Sequence, residues 1–292
     1  MSISLILPGI AAVLVAVAAG FMRWSIAPRT AMRVLTAVAA LTSTTVFVVA
    51  ATTAGGLVGR SGIGLAILER CPRLSAHHQV GTLEGLLSVV ALGFMVFRMC
   101  RVVRVRRWAV SGTKGRHLAI LDTDEPIAYA APGKPGCVVV SRGLLRELDS
   151  NERRVLFAHE RAHLAQNHHR YLLVGALAHA VVPVLGRLVR QIQLATERCA
   201  DEVAVAATGG DREAVAATIG RAALATAAFG GTLGAFGGGS IPVRVEALLG
   251  EPDRSVVTGL LFVAVAVAVG ALAASSLQMH HLYGLAAHVC GQ

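Results

Sequence analysis

Four stretches of this chain are apolar over a length that matches the hydrocarbon core of a bilayer, and that limits the architecture before any other residue is weighed. They run from Ile3 to Met22, Val34 to Val58, Gly81 to Phe97 and Ser255 to Leu277. A spanning helix needs about 20 predominantly apolar residues, and a backbone inside lipid must satisfy its own polar groups, which a helix does. The composition agrees: 54% of the 292 residues are hydrophobic, 15% are charged and mean hydropathy is +0.63, whereas a soluble domain carries about a quarter charged residues. The third stretch holds Glu84 near one end. The first has no basic residue ahead of it, unlike a secretory signal.

Arginines orient the spans. Arg23, Arg29 and Arg33 follow the first, and Arg98, Arg101, Arg104, Arg106 and Arg107 crowd the end of the third, while Met1 to Met22 and Leu277 to Gln292 contain no Lys or Arg. The positive-inside rule then sets both termini outside and the long segment between Arg98 and Arg254 in the cytoplasm. This divides the chain into a membrane region with three spans (1–100), a cytoplasmic region (101–254) and a fourth span with a short external tail (255–292). The net charge of +10 gathers at span ends without an aromatic-interleaved patch, so anionic lipid headgroups, not nucleic acid, are the expected partner.

Within the cytoplasmic segment, His159-Glu160-Arg161-Ala162-His163 carries chemistry. Two imidazoles four positions apart leave one face of a helix a turn apart and can share one Zn²⁺. Glu160 sits about 100° round the helix from His159. It therefore flanks the ion without ligating it, placed to take a proton from the attacking water, whose pKa zinc lowers to about 7. The helix is well specified locally. Asp149 or Ser150 is the N-cap, with Glu152 spaced for a capping box, and Val155, Ala158, Ala162 and Ala165 make an apolar stripe. His168, His169 and Arg170 mark its end or a turn.

A catalytic zinc takes three protein ligands and keeps a position for water. The best third candidate is Glu197, with Asp201 one turn further on and spaced to accept the spare N–H of a ligating histidine. The competing reading of both acids is a solvated helix face. Cys199 projects from a different face and reads as a small buried residue. Between the two groups lies the apolar run Tyr171–Leu185. A single crossing there would put Glu197 across the membrane from His159 and His163, so the run is expected to turn back as a buried or shallow re-entrant hairpin broken at Pro183. His179 reads as an interior histidine, not a ligand.

His117–Leu121 and Cys137–Ser141 are β-rich, and Ala128, Tyr129 and Ala130 fit an edge strand. A substrate peptide could add to that edge through backbone hydrogen bonds; a structural hairpin fits the same residues. Asp211–Phe229 is an Ala-rich helix, Gly230–Gly239 a Gly-dense linker or lid, and Pro242–Leu249 a final helix with Arg244 and Glu246 expected in solvent or at headgroups. The five cysteines show no ligand spacing. Cys71 and Cys290 both fall outside in this topology, where a disulfide between them is compatible with the compartment. His77, His78, His280, His281 and His288 share that face and read as scattered surface histidines.

The segments Leu121 to Ala130, Cys137 to Leu145, the His159–His163 helix and Glu197 to Asp201 together resemble the integral-membrane zinc peptidases of the Ste24/HtpX type (M48) and, more closely, the BlaR1/MecR1-like antirepressor peptidases of peptidase family M56. The resemblance implies that the first Glu of an ExxxD pattern, here Glu197, is the third ligand of one Zn²⁺ per chain. It also implies a protein substrate, a cytosolic transcriptional repressor of the BlaI type cleaved after a signal. HtpX-like quality control of membrane proteins and a non-catalytic signalling receptor that keeps the fold are the alternatives. The expected fold is a mainly α membrane protein of the bacterial inner membrane, in which four transmembrane helices carry a cytoplasmic α+β, zincin-like catalytic region of a small β-sheet plus the HExxH helix.

Overall fold

A computed structural model describes residues 3–22, 26–58, 81–110, 115–228 and 240–250, together with residues 265, 269, 270 and 273. Most of the expected fourth span, Cys71, Cys290, the loop 230–239 and the five histidines assigned to the outer face lie outside the described residues.

Three long helices open the chain: α1 (Ile3–Phe21), α2 (Pro28–Val58) and α3 (Thr82–Val110). Among the described residues two stretches are long and apolar enough to cross a membrane, Pro28–Gly55 and Thr82–Arg106, and α1 adds a shorter apolar run, Gly9–Phe21. Among the described residues, two of the four predicted spans thus stand as candidates, the first contributes only the shorter run, and most of the fourth lies outside the described residues. α3 carries its apolar side chains outward, with Leu83, Leu87, Val90, Phe94 and Phe97 all exposed, a surface suited to hydrocarbon. It also runs well past Phe97, the predicted end of the third span. Arginine is a good helix former, so the helix continues after the hydropathy falls.

The rest of the described chain is α+β. β1 (Leu118–Leu121), β2 (Ala128–Ala131) and β3 (Cys137–Ser141) form one sheet in the order β1-β3-β2. β1 is parallel to β3 and β2 antiparallel, with Tyr129 opposite Val139. β3 is buried throughout, as its β-branched Val138–Val140 run suits, and β2 lies at an edge as expected. Ser141 ends β3 and caps α4 (Arg142–Glu147), its Oγ accepting from the Leu144 N–H at 3.1 Å. Gly143 is obligatory here, because a Cβ would stand 2.0 Å from the Asp124 carbonyl oxygen.

α5 (Ser150–Ala165) starts with the expected capping box: Asp149 accepts from the Asn151 and Glu152 N–H groups, and Glu152 accepts from the Asp149 N–H. Such a cap contributes about 1 kcal/mol. The chain leaves α5 through Asn167, in the left-handed region at φ 54°, and enters α6 (His168–Val181), a 3₁₀ turn (Pro183–Leu185) and α7 (Gly186–Ala207). Val182 is extended, as the residue before proline prefers, and the chain reverses there. The run Tyr171–Leu185 therefore turns back at Pro183, and its C-terminal part is buried in protein: Ala178, Val181, Val182 and Leu185, with Leu188 and Ile192 of α7, join one core with Ala16 and Ala19 of α1 and Met32, Leu35 and Val38 of α2, while the residues before Ala178 are mostly half-buried. Gly20 allows the approach, since a Cβ would meet the Leu188 backbone nitrogen at 2.7 Å. α8 (Arg212–Ala228) and α9 (Ile241–Leu249) close the unit, with Val155, Ala204, Val215 and Leu248 forming a shared core between α5, α7, α8 and α9.

Candidate metal centre

α5 and α7 face each other across the site. His159 and His163 leave α5 one turn apart, and their Nε2 atoms stand 3.1 Å from one another. Glu197 on α7 completes the group, its Oε2 at 3.4 Å from His159 Nε2 and its Oε1 at 3.7 Å from His163 Nε2. A tetrahedral zinc with arms of about 2.0–2.1 Å has ligand-to-ligand edges of about 3.3 Å; the two imidazole nitrogens stand close to that separation, and one ligand atom from each of the three residues lies within 4.8 Å of the others. Side-chain exposures of 13%, 14% and 24% leave the group open on one side. Among the described residues it is the one cluster of His, Cys, Asp and Glu with this geometry.

Asp201 stands where the helical spacing predicts, one turn beyond Glu197, with Oδ1 3.0 Å from His159 Nδ1. It fixes the tautomer that turns His159 Nε2 toward the cluster. Asp201 is itself gripped by Arg244, whose Nε donates to Oδ2 at 2.8 Å and Nη2 to Oδ1 at 2.6 Å, while Nη1 lies 3.1 Å from Glu197 Oε2. This corrects the expectation that Arg244 is solvated: it is 4% exposed. The signal was present, because Arg244 lies three residues after Ile241 and four before buried Leu248, on the inward stripe of α9. Glu246, off that stripe, is exposed.

His163 is backed differently. Its Nδ1 lies 3.0 Å from Nδ1 of His168, a fully buried residue. The sequence places the end of α5 or a turn at His168–Arg170, whereas the turn falls at Gln166–Asn167 and His168 begins the next helix.

The electrostatics divide the two imidazoles. Burial lowers the pKa of His159, but its hydrogen bonds to Asp201 and Glu197 outweigh that and lift it to about 10. Burial and the neighbouring His159 charge depress His163 to about 3, and burial depresses His168 to about 4. Glu197 is pushed up by burial yet held near about 2 by His159, His163 and Arg244. Asp201 is lowered likewise, the Arg244 and His159 hydrogen bonds overcoming its burial. Glu160 is the exception among the acids: burial raises it to about 7. It lines a cavity of about 40 Å³ with His159, Arg244, Leu156, Val215 and Ile219.

Cys199 is buried and donates to Gln166 Oε1 at 3.1 Å, outside the ligand set. His179 also stands apart, its Nδ1 buried without a hydrogen-bond partner among the described residues. Ala128, Tyr129 and Ala130 occupy the edge strand β2, which packs on α5.

Residues 99–232 match the family model described as Peptidase family M48. The matched span includes His159, Glu160, His163, Glu197 and Asp201 and ends before Arg244. It supports a metallopeptidase of the M48 type, a zinc-dependent group, and does not reach the narrower M56 assignment. No curated protein and no solved structure matches the chain.

Proposed function

We propose that this protein is a membrane-anchored zinc endopeptidase, with His159, His163 and Glu197 binding one Zn²⁺ and Glu160 acting as general base. The observation that carries the reading is the convergence of His159 Nε2, His163 Nε2 and the Glu197 carboxylate, one ligand atom from each lying within 4.8 Å of the others, with Asp201 behind His159. When bound, zinc supplies Lewis acidity, lowering the pKa of a water toward about 7 and polarising a carbonyl. Glu160 accepts the proton of the attacking water at its carboxylate and returns it to the departing amine. A pKa raised to about 7 suits a group that must do both near neutral pH. The substrate backbone adds as a strand beside β2, whose outer edge carries half-exposed Tyr129.

The membrane anchorage in this reading rests on the apolar helices α2 and α3, and the arginines at the C-terminal part of α3 support a cytoplasmic orientation of the catalytic unit by the positive-inside rule. One substrate reading, from the resemblance to HtpX-type peptidases, is misfolded membrane proteins. The similarity of Leu121–Ala130 and Cys137–Leu145 to antirepressor peptidases favours a BlaI-type repressor. Both readings are tested by comparing protein fragments across the proteome in parent cells and in cells carrying Glu160→Gln. Intact membrane proteins accumulating in the variant support the first, one intact DNA-binding repressor supports the second, and identical fragment profiles with a zinc-free protein leave a receptor without catalysis.

A further inference from the structure

Ligand spacing along α5 and α7 accounts for His159, His163, Glu197 and Asp201, but not for His168. His168 opens α6, is fully buried, and meets His163 edge to face with ring centroids 4.8 Å apart and planes at 87°. An imidazole that offers Nε2 to an ion carries its proton on Nδ1. In the 3.0 Å contact between the two Nδ1 atoms, His163 is therefore the donor and His168 the acceptor. The proton of His168 then sits on Nε2, which is buried with no hydrogen-bond partner among the described residues. A buried donor left unpaired is unfavourable, and an apolar ring of similar size would avoid it, so packing alone does not account for a histidine here.

We propose that His168 is a positioning residue that holds His163 as its Nδ1–H tautomer with Nε2 directed at the metal, the neutral counterpart of Asp201 behind His159. The neutrality has a reason. Glu197 and Asp201 already place two carboxylates around one guanidinium, and a third would be uncompensated wherever the ion is absent. This inference rests on the zinc reading above.

The test uses full-length protein in detergent micelles, in a Glu160→Gln background that prevents self-cleavage. Zinc affinity is measured by chelator competition for the parent, for His168→Gln, whose amide oxygen can still accept, and for His168→Phe, which keeps a ring but offers no acceptor. His168→Phe is expected to weaken zinc binding about 10- to 100-fold and His168→Gln by no more than about threefold. Equal losses in the two variants, or none in His168→Phe, overturn the proposal. Should His168→Phe fail to fold, the ¹⁵N shifts of the His163 ring in the zinc-loaded parent decide: a protonated Nδ1 supports the assignment and a protonated Nε2 sinks it. A parent that binds no zinc defeats the underlying zinc reading instead, so the two failures are distinguishable.

Discussion

His159 and His163 leave the same helix one turn apart, yet His159 leans on a carboxylate locked by buried Arg244, while His163 leans on the neutral ring of His168. The two sides also lead to different parts of the molecule. Behind His159 the contacts run through Asp201 to α9. Behind His163 they enter the first turn of α6, where Arg106 of the apolar helix α3 donates to the His169 and Leu172 carbonyls at 3.3 and 3.0 Å. One ligand is thus held by charge within the compact α5–α9 unit, and the other by a neutral contact tied to a candidate membrane helix. The carboxylates Asp201 and Glu197 overcome burial and raise His159 to about 10, whereas burial and the His159 charge lower its neighbour His163 to about 3.

The largest effect expected falls on neither side but between them. Glu160→Gln removes the proton acceptor and leaves the ligands and their backing intact, so kcat should fall about 10²- to 10⁴-fold with zinc content unchanged. Peptide cleavage assayed alongside metal analysis checks this; loss of zinc together with activity would show that Glu160 is structural.

On the charged side, Arg244→Met strips the counter-charge from Asp201 and Glu197. Breaking one partner of a buried pair costs about 3–5 kcal/mol, so Tm of the metal-free protein should drop steeply. The double variant Asp201→Asn/Arg244→Met should recover part of that loss, because it removes one of the two carboxylates left without the guanidinium. A double variant no more stable than Arg244→Met would mean that the guanidinium acts through its packing.

The same asymmetry sets a pH dependence. His159, raised above the ordinary histidine value to about 10, gains a stabilising ion pair in the folded metal-free protein. That contribution is complete below the unfolded value of about 6.5 and is lost as pH rises through about 10. Zinc must displace this proton, whereas His163 is already neutral, so binding at pH 7 to 8 should release about one proton and tighten as pH rises. Calorimetry in buffers of different ionisation enthalpy measures the number. Release near zero would show that His159 is neutral before zinc arrives, and the contrast between the two imidazoles would collapse.

How much of this was legible in the sequence follows from how local each feature is. The capping box of Asp149 and Glu152, the His pair, the ExxxD spacing and the break at Pro183 are written within a turn or two of chain, and each stands where its spacing places it. Arg244 grips Asp201 from 43 residues away, a pairing that depends on how α9 packs; its one local trace is a charge on the apolar stripe of a short helix. His168 was hidden by Asn167, whose left-handed backbone turns a residue read as helix end into one aimed back at His163. The membrane reading is the least complete, since hydropathy reports transfer to lipid and cannot say which apolar runs bury themselves in protein. Tyr171–Leu185 does so through its Leu185 end.

The smallest effect sharpens the contrast most, because it should touch one side alone. Arg106→Met removes two hydrogen bonds to carbonyls of α6 without altering any group of the metal centre. The loss of such a partly buried contact is about 1 kcal/mol, or about fivefold in a local opening equilibrium. Hydrogen exchange should therefore quicken by that factor in the first two turns of α6 and stay unchanged in α9, since the Asp201–Arg244 pair is independent of α3. Equal acceleration in both helices would mean that the two sides form one cooperative unit, and the division between a charged support and one tied to α3 would not survive it.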